Sequence, residues 1–194
     1  MVKSDLNGLR RWTHHRWVGA MMVAVMVAAM AWNTTRALDY NAMVRDIAPG
    51  ELSSDPANLT DVAGTLYFTA DDGSYGSELW RSNGTRKETR LVAEITPGPQ
   101  GSSLRDLTAV GTSLFFVARS GTNQSTLWQS NGTPRGTRAI KTFTTTEFSL
   151  GLTSLTAVGA LLFFSVEDAA GSTSLWRSDG TAEGTIMLTE HAPE

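Results

Sequence analysis

Trp80, Trp128 and Trp176 recur at intervals of 48 residues, and their type and spacing could serve a ligand. A row of open indoles would offer flat faces to a sugar; indoles packed between sheets would instead be core. Each follows a leucine (Leu79, Leu127, Leu175) inside an apolar run, which favours packing, since aromatic rings bury large areas when they can. Asp71-Asp72-Gly73 offers carboxylates of the kind a calcium loop uses, but such a loop needs oxygen ligands in number. One and two repeats on stand Arg119-Ser120-Gly121 and Glu167-Asp168-Ala169, so the expected reading is a solvated hairpin tip.

Other chemistry is poorly provided for. Glycoside hydrolysis needs a positioned pair of carboxylates, and nothing in the sequence selects one: Glu78 becomes Thr126 and Ser174 at the equivalent positions. There is no Cys, and the His residues are His14, His15 and His191. A thiolate site, a cysteine nucleophile and a histidine-based triad or metal centre therefore lack their parts. Asn83-Gly84-Thr85 and Asn131-Gly132-Thr133 match the N-glycosylation acceptor pattern. The third copy is Asp179-Gly180-Thr181, so turn chemistry explains all three. No glycine loop leads from a strand into a helix, and no basic stripe carries interleaved aromatics, so nucleotide and nucleic-acid functions find no support. The expectation is no catalytic residue, no metal and no cofactor.

The elements that position these residues follow from the repeat. Besides the tryptophans, the 48-residue offset relates Leu59, Leu107 and Leu155, then Val62, Val110 and Val158, then Phe68, Phe116 and Phe164; eleven of 48 positions carry one residue type in all three units. That self-similarity calls for a repeat architecture. In the second unit, Leu91–Ile95, Leu104–Val110, Leu114–Arg119 and Ser125–Ser130 are short apolar runs bounded by Gly, Pro and Asn, which are strand signals. Asn83-Gly84, Asn131-Gly132 and Asp179-Gly180 supply turns, because both residues tolerate positive φ. Thr85, Thr133 and Thr181 are expected to hydrogen-bond the turn backbone.

Alternation sets the layering. Leu114, Phe116 and Ala118 point to one side of their strand and Phe115 and Val117 to the other. Large apolar groups on both faces demand cover on both sides, so the sheets must stack on their neighbours, radially as a β-propeller or linearly as a solenoid. The reading is all-β: three four-stranded antiparallel units stacked as propeller-like blades.

The run Glu78-Leu79-Trp80-Arg81-Ser82-Asn83-Gly84-Thr85 resembles the signature of the ELWxxDGT repeat proteins, and Leu175-Trp176-Arg177-Ser178-Asp179-Gly180-Thr181-Ala182-Glu183-Gly184-Thr185 resembles it more closely. Val44 to Gly50 and the runs around Leu59 and Leu66 are also similar to that family's unit. Glu88, where Gly136 and Gly184 stand, and Thr145-Thr146 in place of Pro-Gly depart from it. The resemblance covers about residues 43–190 and implies an exported, propeller-like bacterial repeat protein of no established common activity; it carries no catalytic residue across.

The N-terminus reads as an export leader. Lys3, Arg10, Arg11 and Arg16 precede Val18–Trp32, a fifteen-residue uncharged apolar run that contains Ala29-Met30-Ala31. Such a run falls short of the roughly 20 residues of a transmembrane helix, and with the basic entry and small-x-small site it has the form of a signal peptide cleaved after Ala31. A retained signal anchor is the alternative. Of the 16 basic and 19 acidic residues, four and one lie in the leader, leaving −6 beyond Ala31, a charge that disfavours nucleic acid and anionic lipid. The expected organisation is a leader helix over 1–31, a linker over 32–42, a repeat domain over 43–190 with units 43–90, 91–138 and 139–186, and a tail over 191–194.

Three blades leave apolar end faces, because closed propellers have four or more. The chain is therefore expected to be a piece of a longer array or to self-associate. The functional expectation is an exported, non-catalytic module for recognition of a protein or glycan, with a carbohydrate-binding or carbohydrate-active protein as the alternative. Membrane contact is expected only through an uncleaved leader.

Overall fold

The computed structural model describes residues 43–120, 123–144, 151–168 and 170–189. The leader, its cleavage point after Ala31, the linker and the tail beyond Thr189 lie outside them. The described chain is all-β: twelve strands form three four-stranded antiparallel sheets, each a simple up-and-down run. The first holds β1 (Ala57–Val62), β2 (Thr65–Asp71), β3 (Ser77–Ser82) and β4 (Arg90–Ala93). The second holds β5 (Ser103–Val110), β6 (Ser113–Ser120), β7 (Gln124–Ser130) and β8 (Arg138–Thr144). The third holds β9 (Leu152–Val158), β10 (Leu161–Glu167), β11 (Thr173–Ser178) and β12 (Ile186–Thr189).

The strands stand where the apolar runs place them, but the sheets are cut at a different phase. The run beginning at Leu91 closes the first sheet instead of opening the second: Trp80 pairs with Leu91 and Arg81 with Arg90. A repeat length says nothing about where a sheet starts. The chain returns from β3 through the seven residues 83–89 to the nearest free edge, which is that of its own sheet.

Side-chain alternation distributes the core as the pleat requires. Leu114, Phe116 and Ala118 of β6 pack with Tyr67, Leu79 and Val92 of the first sheet. Phe115 and Val117, on the opposite face of β6, pack with Leu162, Phe164 and Val166 of the third. The middle sheet is thus buried on both faces. The outer face of the first sheet, with Phe68 and Trp80, meets Ile47 from the segment that precedes β1.

β1 lies beside β5, and β5 beside β9. Each of the three carries a left-handed residue at the equivalent place, Asn58 (φ 54°), Asp106 (φ 56°) and Ser154 (φ 57°), where the ladder slips by a bulge. A bulge increases local twist and bends the strand. The following threonine steadies each bend: Thr60, Thr108 and Thr156 donate to the carbonyls of Asn58, Asp106 and Ser154 at 3.2, 3.0 and 3.2 Å.

Candidate functional site

The repeated signature builds a loop in triplicate. Ser82, Ser130 and Ser178 pair through their hydroxyls with Thr89, Thr137 and Thr185 at 2.7 Å in each copy. Gly84, Gly132 and Gly180 donate their N–H to the same serines at 3.0 Å. Asn83, Asn131 and Asp179 accept from the N–H of Thr85, Thr133 and Thr181. The threonine hydroxyls in turn accept from the N–H of Glu88, Gly136 and Gly184. The turn is therefore longer than a tight hairpin, and side-chain bonds close it. Hydrogen bonds from the Thr181 hydroxyl and N–H hold the Asp179 carboxyl below its ordinary range.

These loops also join one sheet to the next. Arg81 Nη1 donates to the Gly132 carbonyl at 3.1 Å, and Arg138 Nη2 to that of Gly180 at 3.1 Å. A methyl group at Gly132 would stand 2.3 Å from the Tyr67 hydroxyl, whereas one at Gly84 would meet nothing within 4 Å. Burial pushes the Tyr67 phenol above its ordinary value, against the opposing pull of Arg81.

Leu79 and Leu127 face the sheet that follows and Leu175 the exposed outer side of the third sheet, whereas Trp80, Trp128 and Trp176 face the element that precedes. The three indoles are covered differently. Trp80 is buried beneath Ile47, with the Arg45 guanidinium 5.7 Å from its ring centre. Trp176 is half-buried, edge-on to Phe143 at 5.0 Å and with the Lys141 ammonium 5.1 Å from its ring centre. Trp128 stacks on Phe116 at 6.2 Å and lines a cavity of about 310 Å³. Ile95, Thr96 and Pro97 form one wall; Ala118, Arg119, Gln124 and Thr126 come from the middle sheet, with Ala139 and Thr142 of β8 beside them.

Glu78 anchors that wall. It is fully buried, and its carboxylate accepts from Ile95 N–H at 2.9 Å and from the Ser102 hydroxyl at 2.7 Å. Burial raises its carboxyl above the ordinary range, while these two hydrogen bonds pull the other way. At the equivalent position one repeat later, Thr126 bonds Thr142 through hydroxyls at 2.9 Å instead.

At the β2–β3 tip, Asp71 and Asp72 spend their carboxylates on the turn: they accept from Gly73 N–H at 2.7 Å and from Ser74 N–H at 2.9 Å. Among the described residues no group of three or more His, Asp or Glu is placed to share a metal ion. The sequence drew attention to Trp128 but not to the cavity beside it. The signal that would have found it is Ala139 in the cavity lining, with Ala93 beside that lining in sequence, at positions where the other units carry larger residues. No family model and no curated protein matches the chain.

Proposed function

We propose that the chain is an exported, non-catalytic repeat module, a recognition or surface-interaction scaffold of the ELWxxDGT type whose sheets stack as propeller-like blades. The observation that carries the reading is the contrast between frame and tips. The Ser–Thr–Gly bonding of the signature loops is the same in three copies, while no position of the β2–β3, β6–β7 and β10–β11 tips carries one residue type in all three. A constant scaffold with variable tips suits recognition. N-terminal sequencing of the exported product tests the address, with a new terminus at Trp32 expected. A glycan array combined with a hydrolysis screen tests the activity. Turnover of a polysaccharide, abolished by one carboxylate substitution, overturns the non-catalytic reading.

The same reading includes self-association. Val158, Leu175 and Leu188 are 56 %, 39 % and 41 % exposed, on the face that is closed over in the other two sheets. The opposite end of the array already has its cover, Ile47 on Trp80. The end face of the third sheet is then the same patch on every copy, which favours a twofold, self-complementary contact. Light scattering of the full chain is expected to give a dimer that Leu175→Lys dissociates. A monomer at every concentration overturns it.

A further inference from the structure

The cavity at Trp128 stands where two of three covering positions carry only a methyl group. One repeat in either direction, Ile95 corresponds to Ile47 and Phe143, Ala93 to Arg45 and Lys141, and Ala139 to Leu91 and Met187. Over Trp176, the Phe143 ring and the Lys141 ammonium occupy the space. Over Trp80, Ile47, Leu91 and the Arg45 guanidinium do so. Over Trp128 the corresponding residues are an isoleucine and two alanines, and open volume replaces the aromatic ring and the cation. Ala139 is the direct strand partner of Trp128, as Leu91 is of Trp80.

We propose that this cleft is a binding site for a single neutral pyranose ring. The volume of about 310 Å³ lies at the small end of ligand pockets, which begin at roughly 300 Å³. A pyranose presents C–H groups on a face and hydroxyls around its rim. The indole suits the face, and the rim finds hydroxyls on Thr96 and Thr142 and the amide of Gln124, an exposed side chain that can both donate and accept. A cation, which would also suit an indole face, meets the Arg119 guanidinium in the wall. Glu78 positions Ile95 from behind through the Ile95 N–H and does not face the ligand.

The site rests on the recognition reading above, and its test separates the two. Methyl glucoside, methyl galactoside and methyl mannoside are titrated into the full chain while the indole N–H resonances are followed by NMR. Millimolar binding that moves the Trp128 resonance is expected. Ala139→Leu, which restores the side chain found beside Trp80, is expected to weaken that binding by at least about tenfold with an unchanged or higher melting temperature. Gln124→Ala, at an exposed position, is expected to weaken it without touching the packing. If a glycoside binds and Ala139→Leu leaves it undisturbed, recognition survives and this cleft is the wrong place. If none of the three glycosides moves the Trp128 resonance, or if adenosine does so more strongly than any of them, the pyranose assignment falls. Hydrolysis of a glycoside overturns the non-catalytic reading and leaves the location of the site standing.

Discussion

The middle and last sheets carry the same signature leucine, yet Leu127 is fully buried and Leu175 is 39 % exposed. The difference is the neighbour. Leu127 packs with Phe143, Leu162 and Phe164 in the cluster shared with the third sheet, and no described sheet follows to do the same for Leu175. The first sheet shows the converse at its other end. Gly84 faces open space, whereas Gly132, one repeat later, is pressed against Tyr67 and Arg81 of the preceding sheet. A repeated residue therefore has a repeated conformation but not a repeated energetic role; that depends on whether another unit lies against it.

The strongest test of this contrast is truncation of the two leucines. Leu127→Ala is expected to destabilise by about 3 kcal/mol and Leu175→Ala by about 1 kcal/mol or less, because only the first leaves a sealed cavity. Equal losses in urea denaturation would mean that the last sheet is covered after all. The glycine pair comes next. Gly84→Ala should cost about 1 kcal/mol, the strain of a left-handed alanine. Gly132→Ala should cost about twice that, since the methyl group also displaces Tyr67 and loosens the Arg81 bond to the Gly132 carbonyl.

A smaller effect compares the two seams. The first is closed by the buried Glu78 carboxyl, the second by no equivalent acid. Its folded-state pKa lies above the unfolded value, so the folded protein holds this proton more tightly. This contribution to stability is fully present below the ordinary carboxylate range and falls as pH rises through the folded-state value. Denaturation midpoints measured across that window should show the fall in the parent chain and a flatter profile in Glu78→Gln. The smallest effect belongs to the bulges: Ser154→Gly should stabilise by about 0.5 kcal/mol, because glycine relieves the φ of 57° at some entropic cost. A loss would show that the Ser154 side chain contributes something the backbone alone does not.

Much of the fold was legible in the residues. The alternation of Leu114, Phe115, Phe116 and Val117 predicts two buried faces because pleating sends successive side chains to opposite sides, and those residues divide between two clusters accordingly. The hydroxyls of Thr85, Thr133 and Thr181 hold their turns as short-range chemistry predicts. The sheet to which Leu91 belongs was not legible, since edge pairing depends on which strand is nearest after the chain has turned. Nor was the cavity: Ala139 looks unremarkable until it is paired with the Trp128 indole, and Ile95 until it is brought against that indole from 33 residues away along the chain.

By itself the sequence determined the period, the strands, the turn chemistry and the need for sheets to be covered on both faces, all consequences of local geometry and the pattern of apolar side chains. The tertiary structure decided which indole is sealed and which borders open space, which carboxylate is buried, and which leucine lacks a covering sheet. Those outcomes depend on distances between residues far apart in the chain, and contact across a seam is a property of both sides.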